Sequence, residues 1–171
     1  MGHDQPNLDH LVLKQFVEFP ELGNALLSAE RMLEQERYAE VVELLRPQSQ
    51  DKQWHNNQVY FLVPYYMGQA LFRREMARKR PRENGLDKAS NLLKMALEYN
   101  PVFFDAHLLL GLLCIARAKF SSSPQDLLNM AEDHFLVVMH HGNASQKEYA
   151  QNRVEFLSRQ QRIAQTHGMH A

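Results

Sequence analysis

The stretch LLKMALEYNPVFFDAHLLLGLLC, residues 92–114, decides the fold class. Apolar residues recur at spacings of three and four up to Tyr99, which predicts a helix. Asn100-Pro101 then ends it, because proline lacks the N–H that a helix needs and clashes with the preceding turn. A second helix follows that is apolar on almost every side. Two helices joined by so short a break pack as an antiparallel hairpin.

The same pattern extends over the whole chain. Clean period-two runs are missing from the sequence, so strands are not expected. Pro47 and Gly142-Asn143 indicate further helix ends, and Ser145-x-x-Glu148 indicates a capping box that opens the last helix. We therefore predict an all-α fold of helix pairs. Its helices are expected near 8–18, 22–35, 38–46, 56–79, 86–99, 102–119, 124–141 and 146–165.

Composition restricts the class of protein. With 171 residues, 44% of them apolar and 23% charged, the chain suits one globular domain. The single cysteine, Cys114, excludes an internal disulfide framework and a multi-cysteine zinc site. The polar N-terminus does not resemble a signal peptide, and no apolar run approaches the ~18 residues that span a bilayer. We expect a soluble, cytoplasmic protein.

Charge is unevenly distributed along the chain. Residues 1–51 hold ten acids and four bases, whereas residues 52–100 hold nine bases and four acids, within a net charge of −1. The whole chain is not expected to attract polyanions at long range, but a local basic patch remains open.

Small and large residues recur at matching positions in successive helix pairs. In the first helices, Ala29, Gly68 and Gly111 are each followed three residues later by a larger residue. In the second helices the spacing 4, 3, 5 occurs twice, in Ala89, Leu93, Ala96, Pro101 and in Ala131, Phe135, Val138, Asn143. A small residue lets two helix backbones approach, and the large residue fills the neighbouring groove. The chain is therefore predicted to contain internal repeats.

This pattern resembles the tetratricopeptide repeat (TPR), a 34-residue helix-turn-helix unit. The most similar segments are HLLLGLLCIA at 107–116, DKASNLLKMALEYNP at 87–101 and LEQERYAEVVELL at 33–45. The resemblance implies a single domain over 1–171 that forms a short right-handed solenoid. Its repeats would span 22–48, 60–101 and 104–143, with a capping helix at 145–166. The small residues of the last two repeats are 21 and 20 apart instead of twelve, which indicates insertions of nine and eight residues between their helices.

The resemblance also implies a concave groove lined by the first helix of each pair. Carried over in register, the groove residues are Tyr65, Tyr66, Gln69, Phe72, Arg73, Leu108, Leu109, Leu112 and Ile115. Such a groove would bind an amphipathic helix or an extended segment of another protein. The alternative is that several of these residues are core, covered by the terminal helices. A carboxylate clamp is not expected, because few suitable cations or amides lie in this set.

The stretch RREMARKRPREN, residues 73–84, is strongly basic. Its cations are Arg73, Arg74, Arg78, Lys79, Arg80 and Arg82. They are most simply solvated ends of a helix, but could also contact an acidic partner, a second copy of the chain or nucleic acid. Replacing Arg78, Lys79 and Arg80 by Glu is expected to leave stability nearly unchanged, because exposed charges contribute little.

Catalytic and metal-binding signals are weak. His134 and His141 could share a helix face, but no His-x3-His pair or other metal motif accompanies them. Cys114 lies in an apolar run, and Trp54 could be an exposed anchor or a packed helix end. No catalytic residue, metal or cofactor is predicted.

We therefore expect a non-enzymatic adaptor, scaffold or assembly chaperone that binds an apolar or amphipathic segment of another protein. The alternatives are a regulatory subunit that contacts nucleic acid or an acidic partner through 73–82, and a self-assembling scaffold. Leu112→Glu is expected to abolish partner binding while leaving the helical signal largely intact.

Overall fold

The computed structural model describes residues 17–168, with side chains up to Gln160. In this part of the chain there are seven α-helices and no strand, which confirms the all-α class. The helices are α1 (Pro20–Glu34), α2 (Tyr38–Gln50), α3 (Leu62–Met76), α4 (Glu83–Tyr99), α5 (Phe104–Ala118), α6 (Pro124–His141) and α7 (Ala144–Gly168), and a 3-10 turn (Lys52–Trp54) follows α2. No described helix is long and apolar enough to cross a membrane.

Five of the eight predicted helices agree with the structure, two differ from it at one end, and one lies mostly outside the described residues. The predictions at 22–35, 86–99, 102–119, 124–141 and 146–165 match α1, α4, α5, α6 and α7 to within three residues at each end. The prediction at 56–79 is wrong at its start, because residues 55–61 form turns before α3 begins at Leu62. The prediction at 8–18 lies outside the described residues except for Val17 and Glu18, which are helical.

Pro47 does not end its helix, contrary to the prediction at 38–46. It lies inside α2, which continues to Gln50. Proline removes the hydrogen bond to the carbonyl of Glu43, but both residues are exposed, so water can solvate that carbonyl. The helix then closes with a hydrogen bond of 3.1 Å from the N–H of Asp51 to the carbonyl of Pro47.

The capping box of the last helix lies two residues before the predicted one. The Oδ1 of Asn143 accepts the N–H of Gln146 at 2.9 Å, and the Oε1 of Gln146 accepts the N–H of Asn143 at 3.0 Å. Two N–H groups at the start of α7 are thus satisfied reciprocally. Ser145 and Glu148, the predicted pair, are exposed residues within the helix.

The described chain divides into two compact units, the first ending at Ala106 and the second beginning at His107. In the first unit, α2 packs against α1 and α3, α3 packs against α4, and α1 also contacts α3. In the second unit, α7 packs against α6. Each unit has its own buried apolar residues, such as Leu26 and Leu93 in the first and Leu113 and Phe135 in the second.

The glycine register predicted from the sequence corresponds to real helix contacts. A Cβ atom on Gly68 would lie 3.0 Å from the Cγ of Leu93 and 3.2 Å from the carbonyl oxygen of Ala89. A Cβ atom on Gly111 would lie only 2.6 Å from the Cζ of Phe135. In both helix pairs, therefore, the glycine of the first helix faces the large residue that the 4, 3, 5 spacing identified.

Candidate protein-binding cleft

A cleft of about 240 Å³ opens on the first unit. It is lined by Glu30, Leu33 and Glu34 of α1, by Leu62, Tyr65, Tyr66, Gln69 and Arg73 of α3, and by Phe103 and Asp105 at the start of α5. All three helices are the first members of their predicted pairs. No lining residue comes from α2 or α4. The cleft therefore lies on the face that the first helices share.

Aromatic rings form part of the cleft. The rings of Tyr65 and Phe103 pack edge to face with centroids 4.6 Å apart, and the rings of Phe61 and Phe103 do so with centroids 4.8 Å apart. Tyr66 lies 5.5 Å from Tyr65 and is half-buried, whereas Tyr65 and Phe103 are buried. Packed rings in these geometries hold each other in place, so this wall is preformed.

The hydroxyl of Tyr65 stays protonated at any physiological pH. Burial raises the pKa of Tyr65 far above its usual value, and the negative charge of Asp105 raises it further. Tyr66 acts in the same direction, and Arg73 opposes these effects only in part. The cleft therefore contains a neutral phenol between groups of opposite charge.

Four of the five α3 residues predicted for the groove line this cleft: Tyr65, Tyr66, Gln69 and Arg73. Phe72 does not line it, because its side chain is turned into the core and is only 8% exposed. For Phe72 the core alternative holds.

The other four predicted groove residues lie in the second unit. Leu108, Leu109, Leu112 and Ile115 are all half-buried, whereas Leu110, Leu113 and Cys114 on the same helix are buried. Since half-buried leucines at spacings of three and four share a helix face, α5 presents a partly open apolar stripe. We name these four residues the α5 stripe.

Six lining residues were missed in the sequence: Glu30, Leu33, Glu34, Leu62, Phe103 and Asp105. The predicted repeat register contains the signal that could have found two of them, Glu30 and Glu34. Glu30 follows Ala29 as Gln69 follows Gly68, and Glu34 is equivalent to Arg73 in the same way. Leu62 and Asp105 both lie six residues before the glycine of their own repeat. Equivalent positions thus face the same cleft.

The basic stretch is divided by a buried carboxylate that was not predicted. Glu75 is 1% exposed, and its Oε2 accepts the backbone N–H of Arg82 at 3.0 Å. The Nε of Arg78 lies 3.2 Å from the same oxygen, and the Nε of Arg74 lies 3.9 Å from Oε1. Glu75 therefore ties the turn between α3 and α4 together. Lys79 and Arg80 remain exposed.

This contact overturns the expectation that reversing all three central cations leaves stability unchanged. Arg78→Glu places a carboxylate beside the buried Glu75 and removes its cation, so the free energy of unfolding should fall by about 2 kcal/mol or more. Lys79→Glu and Arg80→Glu should change it by less than about 0.5 kcal/mol, because both side chains are exposed. Urea unfolding followed by circular dichroism compares the three variants. Equal stability of Arg78→Glu and Lys79→Glu would contradict the role given to Glu75.

A second cavity of about 330 Å³ in the first unit adjoins Trp54. Trp54 lies in the 3-10 turn and packs edge to face on Phe19, with ring centroids 5.8 Å apart. Most of the other side chains that line this cavity are amides, from Gln53, Asn56, Asn57 and Gln58. Trp54 is half-buried and packs on Phe19, which favours the packed end of the two predicted alternatives.

His134 and His141 lie on the same helix, α6, and His134 also contacts a histidine of α5. In the second unit, the Nδ1 of His134 lies 3.0 Å from the Nδ1 of His107 on α5, which makes one shared hydrogen bond. Within the described residues no group of three His, Cys, Asp or Glu side chains is placed to hold a metal ion.

Comparisons of the chain with protein-family models, with curated proteins and with solved structures find no significant match.

Proposed function

We propose that this protein is a non-enzymatic, TPR-like interaction module that binds a segment of another protein. The observation that carries the proposal is the lining of the cleft, which is drawn from the first helices and from Phe103 just before α5, with six of its residues at equivalent positions of the predicted repeats. A surface built in this way is continuous along successive pairs and suits an extended or helical segment. An adaptor, a scaffold subunit or an assembly chaperone would each use such a surface.

The half-buried Tyr66 is the natural anchor of the cleft. Tyrosine is enriched among residues that dominate binding energy, because it offers a large rigid ring together with a hydroxyl. The alternative, binding of a partner through the basic stretch 73–82, is less well supported, because Glu75 already engages Arg78 and the backbone of Arg82.

A random 12-residue peptide library displayed on phage and selected on the purified chain tests the proposal. We expect a selected peptide to bind Tyr66→Ala at least about tenfold more weakly than wild type. Met95→Ala is the matched control, because Met95 is 39% exposed on α4 and outside the cleft. Leu112→Glu tests the α5 stripe in the same titration. If no peptide is selected, or if Tyr66→Ala and Met95→Ala bind equally, the proposal fails.

A further inference from the structure

We infer that the cleft takes a segment that carries an arginine or lysine beside an apolar side chain. This inference rests on the proposed function, since it names the chemistry of the segment that would bind.

The charge of the lining points to a cation. Three carboxylates, Glu30, Glu34 and Asp105, face the cleft, against one guanidinium, that of Arg73. Glu30 and Glu34 are exposed and Asp105 is half-buried. A cation entering between them is attracted by the excess negative charge, whereas a carboxylate or phosphate would be repelled by it.

The aromatic wall favours the same group. The rings of Tyr65 and Tyr66 lie beside the acids in one cavity, and aromatic faces attract guanidinium and ammonium groups. A planar guanidinium can pair with a carboxylate and stack on a ring at the same time, which an ammonium does less well. Arginine is therefore the better fit of the two.

The apolar part of the lining accounts for the neighbouring side chain. The buried Leu33, Leu62 and Phe103 line the base of the cleft, beside the half-buried ring of Tyr66. A volume of about 240 Å³ is smaller than the ~300–1,000 Å³ typical of small-molecule sites, so it suits one or two side chains. A short basic and apolar motif in a longer segment matches both the size and the lining.

The phage selection described above also tests this inference. We expect the selected peptides to be enriched in Arg or Lys within four residues of an apolar residue. A selected peptide should bind Glu34→Lys about tenfold more weakly than wild type, and its affinity should fall as salt is added. Glu98→Lys is the matched control, because Glu98 is exposed on α4 and outside the cleft.

A charge exchange makes the test decisive. The same peptide with its basic residue replaced by Glu should lose binding to wild type and regain part of it with Glu34→Lys. Peptides that depend on Tyr66 but lack a basic residue and ignore Glu34→Lys would overturn this inference and leave the proposed function standing. Peptides that are indifferent to Tyr66→Ala would overturn both.

Self-assembly is the other outcome that the test distinguishes. The chain itself exposes Met76, Lys79 and Arg80 in one short stretch. Light scattering of wild type and Glu34→Lys over a range of concentrations measures the mass. If the mass rises with concentration and Glu34→Lys abolishes this rise, the occupant of the cleft is a second copy of the chain and not a segment of another protein. A constant monomer mass would support the inference.

Discussion

Glu75→Ala should lower the free energy of unfolding by about 3 kcal/mol. The substitution removes both the acceptor of the Arg82 N–H and the partner of the Arg78 guanidinium. Removing one member of a buried pair costs more than the pair itself contributes, because the remaining groups stay desolvated. The side chain of Arg78 is 37% exposed and can turn towards water, which places the loss near the lower end of the usual range.

The position of Glu75 relative to α4 adds to this cost. Arg82 is the N-cap residue of α4, so the carboxylate lies at the positive end of that helix dipole. It also fills the space beside Gly85, where an added Cβ atom would lie 2.6 Å from its Cδ. Ala at position 75 therefore leaves a cavity as well as unpaired donors.

Equilibrium urea unfolding followed by circular dichroism measures the loss. Glu83→Ala is the control, since Glu83 is an exposed acid in the first turn of α4. Glu75→Gln keeps the size and one acceptor oxygen, so its loss should be intermediate. If Glu75→Ala is no less stable than Glu83→Ala, the turn does not depend on this carboxylate.

The helix pairs could be predicted because their signal is local and repeated. Gly68 precedes Leu93 by nearly as many residues along the chain as Gly111 precedes Phe135. A close contact between two helix backbones needs a small residue opposite a large one. The capping box was misplaced because Asn143-x-x-Gln146 and Ser145-x-x-Glu148 both satisfy the sequence pattern. The choice between the two boxes depends on which residue begins the helix, and helix ends are uncertain by one or two residues.

Glu75 could not be predicted from local patterns, and among the acids of the cleft only Glu30 and Glu34 have a signal, their equivalence to Gln69 and Arg73 in the repeat register. A glutamate among arginines reads as part of a solvated helix end, and its burial follows from the turn that brings the backbone of Arg82 back to it. Glu30 and Glu34 read as the polar face of α1. Their position at the cleft follows from the contact between α1 and α3, which is not adjacent to α1 along the chain.

Gly111→Ala is expected to lower the free energy of unfolding by about 1–3 kcal/mol, although alanine favours helix over glycine by up to about 1 kcal/mol. The added Cβ atom would lie 2.6 Å from Cζ and 2.7 Å from Cε1 of Phe135. The Phe135 ring is fully buried, so it cannot move aside without displacing its neighbours.

Gly68→Ala is the matched control, because it makes the same change at the equivalent position of the other pair. There the nearest contacts are 3.0 Å and 3.2 Å, to Leu93 and to the Ala89 carbonyl, so a small adjustment suffices. Its loss should be clearly smaller than that of Gly111→Ala.

The double variant Gly111→Ala/Phe135→Leu separates this clash from any intrinsic effect of alanine in α5. Leucine lacks the Cζ and Cε1 atoms and is the residue that the other pair carries at this position, Leu93. We expect the double variant to lose less free energy of unfolding than the two single variants lose together. The difference, which is the coupling energy, should be about 1 kcal/mol. Urea unfolding gives that energy, and hydrogen exchange should place the loss of the single variant in α5 and α6. Strict additivity would show that the Phe135 ring does not cause the loss of stability, because removing the ring would then not offset the effect of Gly111→Ala. The loss would in that case come from the backbone at position 111 alone.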